Sequence, residues 1–276
     1  MRTAYRLVQN YFYSFVYALG ITIGIYISIE ELHRFNNTRR FYIFSILIFL
    51  IIFFENIIAI LRRHGSIEIN LDLNDEVNEI WHFFYKFLLP FIYYLCLVAF
   101  GFYNLNSISI TGILFLTFIT FFLLFVNTKA FFQNIKKLES RTHYVYDLIK
   151  FLIFFTLVNT FSHWQMQNPQ FLPLSAIGVG IVAFALILLM AWRVNKVQLK
   201  TYLISGFTSF LLAVLFGALS FGNSFNPIQI ALGLILAFYL SVAIIHHILL
   251  NTLTKSIIFE YIVILLVIFS VIYGIT

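Results

Sequence analysis

The chain has 276 residues, 62% of them apolar, 20% aromatic and only 10% charged, and its mean hydropathy is +0.96. Soluble domains carry charge on about a quarter of their residues, so this composition excludes a water-soluble enzyme or binding module and indicates an integral membrane protein. The formal charge of +6 arises from 17 Lys and Arg set against 11 Asp and Glu, and its meaning depends on where those bases lie.

A helix needs about 20 apolar residues to cross a hydrocarbon core of about 30 Å. The sequence offers nine such segments: 12–29, 41–61, 80–103, 109–126, 146–164, 172–192, 202–221, 226–250 and 256–274. The fold class predicted is therefore all-α, a polytopic membrane bundle of nine spans, or of eight if the fifth or the ninth lies only in the interface. The first segment follows the basic stretch MRTAYRLVQN but is too long for a signal sequence and lacks a small-residue cleavage pattern, so it reads as an uncleaved span. Within it, GITIG places Gly20 and Gly24 at a spacing that lets helices approach closely. The longest polar interval, RRHGSIEINLDLNDEVNE at 62–79, is too short to fold alone, which makes residues 1–276 one transmembrane domain with no soluble one. The single cysteine, Cys96, excludes an intrachain disulfide.

Lys and Arg accumulate in cytoplasmic loops. If all nine segments cross, one side receives twelve bases, at positions 2, 6, 62, 63, 129, 136, 137, 141, 193, 196, 200 and 255. The other side receives Arg34, Arg39 and Arg40, beside Glu30 and Glu31. The amino terminus is thus expected in the cytoplasm and the carboxyl terminus outside, in the plasma membrane (the bacterial inner membrane). The asymmetry and contact with anionic headgroups account for the net charge, so membrane lipid rather than nucleic acid is the expected partner. A second copy of the chain or a membrane partner subunit is the protein partner to expect.

Ionisable groups inside spans are costly and therefore informative. Glu55 and Asn56 lie toward the cytoplasmic end of the second span, His82 and Lys86 in the first turns of the third, His246, His247 and Asn251 at the end of the eighth, and Glu260 at the start of the ninth. At 1.5 Å per residue, Glu55, Lys86 and His246 fall roughly 10–15 Å inside the cytoplasmic boundary, forming a polar layer in the inner leaflet. Glu55, Asn56, His82, Lys86, His247, Asn251 and Glu260 are the candidate binding residues. His247 and Asn251, four apart, would share a helix face, from which His246 points away. Asp147 and Lys150, at the start of the fifth span, are shallow enough to snorkel into headgroups. Each of these groups also has a bland role open to it, in an ion pair or an interhelical hydrogen bond. Zinc requires three or four ligands and haem opposed ones, and adjacent histidines supply neither, so no metal or cofactor is expected.

The stretch HILLN at 247–251 is similar to the HxxxN motif of the CAAX-type intramembrane proteases. Their second motif, EExxxR, has only EELHR at 30–34 to answer it, one residue short and on the opposite side of the membrane, which rules out one shared site. Nine spans and the orientation of the termini resemble the UbiA family of membrane prenyltransferases, and KVQLKTYLISGF at 196–207 is similar to the segment after that family's second aspartate motif. The resemblance implies the architecture only. The paired aspartate motifs that hold magnesium against a diphosphate are replaced by FENIIAILRRHG, with Glu55, and by WRVNKVQ, with no carboxylate.

Three functions fit. The first is a permease or channel-like protein for a small solute or ion. The second is an inner-leaflet enzyme on a lipid-linked substrate, with Glu55 or His247 as general base and Lys86 as anion contact. The third is a structural subunit of a larger complex. A translocation path must offer polar partners at every depth. The outer halves offer only neutral groups such as Thr22, Thr117, Thr120, Asn159 and Ser209, which suits a narrow path and not a strongly charged solute.

Overall fold

The computed structural model describes residues 2–64, 89–103, 107–133, 135–192, 199–221, 225–250 and 252–274. Among the described residues 94% are helical and none forms a strand. The helices are α1 (Arg2–His33), α2 (Thr38–His64), α3 (Leu89–Tyr103), α4 (Ser107–Gln133), α5 (Ile135–Gln167), α6 (Leu172–Trp192), α7 (Leu199–Ser220), α8 (Pro227–Leu249) and α9 (Lys255–Gly274). Each of the nine apolar segments coincides with one of these, apart from 80–88, which lies outside the described residues. Among the described residues, four helical stretches are long and apolar enough to cross a membrane: Tyr11–His33, Pro169–Met190, Leu199–Ser220 and Pro227–Leu249.

Helix is the conformation that satisfies backbone groups within one segment, which lipid demands. Hydroxyl side chains follow the same logic by bonding carbonyls one turn back: Thr22 to Ala18, Ser28 to Gly24, Thr120 to Leu116, Thr156 to Leu152, Thr160 to Thr156 and Ser162 to Val158, all at 2.7–2.9 Å. The turns are cut by residues suited to them. Asn36 takes φ 49° between α1 and α2, a region that asparagine tolerates, and Asn37 Oδ1 accepts from the Arg40 amide. Asn226 and Gln229 form a reciprocal capping box at the start of α8, with Pro227 in the first turn.

The chain forms two compact units, Met1–Lys150 and Phe151–Thr276. In the first, α1 packs against α2 and α4. A Cβ on Gly24 would stand 2.8 Å from Ile48 Cδ1 of α2, so half of the GITIG motif marks a close approach; Gly20 has nothing within 4 Å. Aromatic side chains fill the unit: Phe15 meets Phe118, Phe41 meets Phe102, and Tyr93 lies on Phe121. The buried phenols are satisfied, Tyr94 donating to the Ser45 carbonyl at 2.6 Å and Tyr93 bonding Thr117 at 3.1 Å. His33 Nε2 meets the Gly101 carbonyl near the end of α3 at 2.6 Å. EELHR at 30–34, with Arg40, forms two ion pairs, an exposed one between Glu30 and Arg34 and one between exposed Arg40 and the largely buried Glu31.

In the second unit α6 lies closely along α7, α8 packs on α6 and α7, and α9 packs on α8. Phe154 of α5 stacks on Phe238 of α8 at 4.4 Å between ring centres. The unit is apolar outward, and its small polar side chains turn inward among an apolar core. Helix α7 exposes Leu199, Leu203, Phe207, Phe210, Leu211 and Val214 and buries Thr201, Ser205, Ser209 and Ser220 along with Leu212 and Phe216. In water such a surface would drive association. Lipid tails solvate it, while small polar residues mediate close helix packing.

Candidate functional site

Of the residues marked in the sequence, Glu55 and Asn56 lie on α2 with side chains outside the described set, and His82, Lys86 and Asn251 are outside the described residues altogether. His247 is half-buried and Glu260 exposed. Helix α8 ends at Leu249, with Leu250 as its C-cap; the expected pairing of His247 with Asn251 falls on a residue outside the described ones. Nδ1 of His247 lies 2.9 Å from Thr252 Oγ1. The ring also faces Tyr261 of α9, 6.1 Å between centres. The neighbouring His246 is exposed, its ring turned 80° from that of His247, as expected for adjacent positions on a helix.

The expectation for Lys150 is corrected. Its side chain is only 1% exposed and does not snorkel; the ammonium reaches back one turn to Asp147 at 3.0 Å, and Asp147 is 25% exposed. A buried cation needs a partner because its desolvation cost exceeds what packing returns.

Sequence reasoning missed a concentration of buried neutral polar groups in the second unit. Helix α5 buries Thr156, Asn159, Thr160, Ser162 and Gln165, α6 buries Ser175, and α7 buries Thr201, Ser205, Ser209 and Ser220. The signal was present in the spacing. Thr156 and Thr160 are four apart, Asn159, Ser162 and Gln165 three apart, and Thr201, Ser205 and Ser209 four apart, which puts each set on one helix face. The sequence also contains no Asp, Glu, Lys or Arg from Phe151 to Trp192 or from Thr201 to Thr254.

Several of these groups are satisfied by their own helix, since Thr156, Thr160, Ser162 and Ser209 donate to carbonyls three or four residues earlier. Others are not. Gln165 Oε1 and the hydroxyls of Ser175, Ser205 and Ser220 are buried with no hydrogen-bond partner among the described residues. Native interiors leave few polar atoms in this state, and each such atom costs about 1–3 kcal/mol.

Contacts between helices fix where these atoms stand. A Cβ on Gly178 would lie 2.9 Å from Phe161 Cζ, which sets α6 beside α5 at that level. A Cβ on Gly180 would lie 3.2 Å from Ala213 Cβ and 3.6 Å from the Ser209 carbonyl, which sets α7 beside α6. Gln165, Ser175 and Ser220 all lie beyond these contacts in the direction of the α5–α6 turn. There Trp164 stacks on Phe171 at 5.1 Å with 9° between the rings, an amphipathic aromatic placed as such residues are at membrane interfaces. No group of three His, Cys, Asp or Glu side chains that could hold a metal occurs among the described residues.

Residues 39–275 match the model of a family described as proteins of unknown function, DUF5656, and the chain belongs to that family. No curated protein and no solved structure matches it.

Proposed function

We propose that this DUF5656 member is a multi-pass permease or channel-like protein of the plasma membrane that moves a small solute. In this reading all nine helices cross, the amino terminus is cytoplasmic and the carboxyl terminus outside. The observation that carries the reading is that buried neutral polar groups recur along α5 and α7 and, with Ser175 of α6, reach the end marked by Trp164, which is the outer end in this orientation. A path across the bilayer needs partners at every depth for a solute that has shed water, whereas an enzyme confined to the inner leaflet has no use for them in the outer half. In this reading Glu55, Asn56, His82, Lys86, His247, Asn251 and Glu260 are polar groups at the cytoplasmic ends of their own spans.

Purified protein reconstituted into liposomes should accelerate the shrink–swell response to small solutes over protein-free vesicles. A preparation that moves neither ions nor small solutes while retaining a bound polyprenyl or phospholipid would refute this reading and install the inner-leaflet enzyme in its place.

A further inference from the structure

We infer that the flank of the second unit formed by α8 and α9 is the interface of a two-fold symmetric dimer, in which His246 of each copy bonds Glu260 of the other. The inference is independent of what the protein carries. His247 of α8 and Tyr261 of α9 face each other across the seam, 6.1 Å between ring centres. His246 and Glu260 are the residues immediately before them, so each stands about 100° round its own helix from the seam. Helix α9 packs back along α8 after a short connection at 250–254, and antiparallel helices wind in opposite senses when viewed from one end. The two rotations therefore carry His246 and Glu260 to the same side of the helix pair. Counted from the His247–Tyr261 contact at 1.5 Å per residue, they differ in depth by about 3 Å. Both are exposed.

The rest of that flank is apolar. Leu232, Tyr239 and Leu250 lie within about 40° of His246 on α8, and Ile264 and Val267 within about 40° of Glu260 on α9; all five are exposed. Lipid tails solvate these side chains well. Glu260 is different, because it makes no hydrogen bond or ion pair among the described residues, and a carboxylate on a lipid-facing flank is costly. A second copy supplies the missing partner. A two-fold axis along the membrane normal, set against this flank, exchanges the positions of α8 and α9. His246 of each copy then comes opposite Glu260 of the other at nearly the same depth, in the reciprocal manner of an isologous interface. An imidazole N–H donates to a carboxylate whether the ring is neutral or protonated, so the pairing needs no change of ionisation.

The test uses the full chain with Cys96, its single cysteine, replaced by alanine. His246→Cys and Glu260→Cys are made in separately tagged copies, co-expressed and oxidised in the membrane. A disulfide needs Cα atoms within about 7 Å, so the mixed pair should crosslink. Each variant alone should not, since its two thiols stand about 8–10 Å apart across the axis, the spacing of packed helices. Self-association without crosslinking is measured by dilution in phosphatidylcholine vesicles, with variants compared at equal thermal stability. Glu260→Lys should weaken it at least about tenfold, because both reciprocal hydrogen bonds are lost, and adding His246→Glu, which exchanges the charges, should restore it. A chain that stays monomeric, or thiols that crosslink with their own kind as readily as with each other, would overturn the interface. So would a dimer indifferent to Glu260→Lys. A monomer that copurifies with phospholipid and loses it on Glu260→Lys would overturn the dimer and assign this flank to lipid.

Discussion

The contact of α6 with α7 offers a direct test of how the second unit is held together. Gly180 faces Ala213 so closely that a Cβ there would lie 3.2 Å from the alanine methyl and 3.6 Å from the Ser209 carbonyl. Carbon atoms attract best at about 3.5–4.0 Å, so Gly180→Ala asks the helices to yield by only a few tenths of an ångström. That strain is offset by the gain of about 1 kcal/mol on replacing a helical glycine with alanine, and the net change should be within about 1 kcal/mol of zero. Gly180→Leu adds three further carbons where the methyl already touches, an overpacking that costs about 1–3 kcal/mol. For a unit of this size, 1 kcal/mol corresponds to about 2–4 °C in Tm, so Gly180→Leu should lower the detergent-solubilised Tm by roughly 2–12 °C. The companion change Ala213→Gly removes the opposing methyl and should recover part of the loss, with a coupling of about 0.5–3 kcal/mol. Ile181→Leu, next along the helix at a position 63% exposed, should be silent. If Gly180→Leu melts with the parent, or if its loss is indifferent to Ala213→Gly, the helices do not meet at this point and the register of the polar groups fails with them.

Reporter fusions after Lys137 and Lys200 should lie in the cytoplasm and one after Thr276 outside, and a cytoplasmic carboxyl terminus would refute the nine-span arrangement. Asp147→Asn should destabilise more than Lys150→Met, as read by thermal denaturation. The first takes a charged partner from a buried ammonium, while the second removes the buried cation and leaves a carboxylate that is already a quarter exposed to water. In flux measurements His247→Ala and Glu55→Gln should impair transport with little loss of expression and His246→Ala should be milder; equal effects of the two histidine substitutions would refute a particular role for His247.

Much of the helical layout is legible in the one-dimensional pattern because lipid imposes a single rule on every segment. An apolar stretch must close its own backbone hydrogen bonds, so 172–192 in the sequence becomes α6 over the same residues, and 256–274 becomes α9 from Lys255 to Gly274. Charge drew attention to Glu55, Lys86 and His247, because an ionised group in a span is conspicuous by its cost. Neutral polar groups carry no such flag. Threonine, serine and glutamine occur throughout membrane helices, and whether Gln165 or Ser175 faces lipid, bonds its own helix or is buried unsatisfied depends on which helix lies opposite. The same holds for Lys150, whose distance from the headgroups suggested snorkelling until packing enclosed it against Asp147. Residue spacing determined which side chains share a face; the tertiary structure decided which faces turn inward, because burial is a property of pairs of helices and no single segment encodes its neighbour.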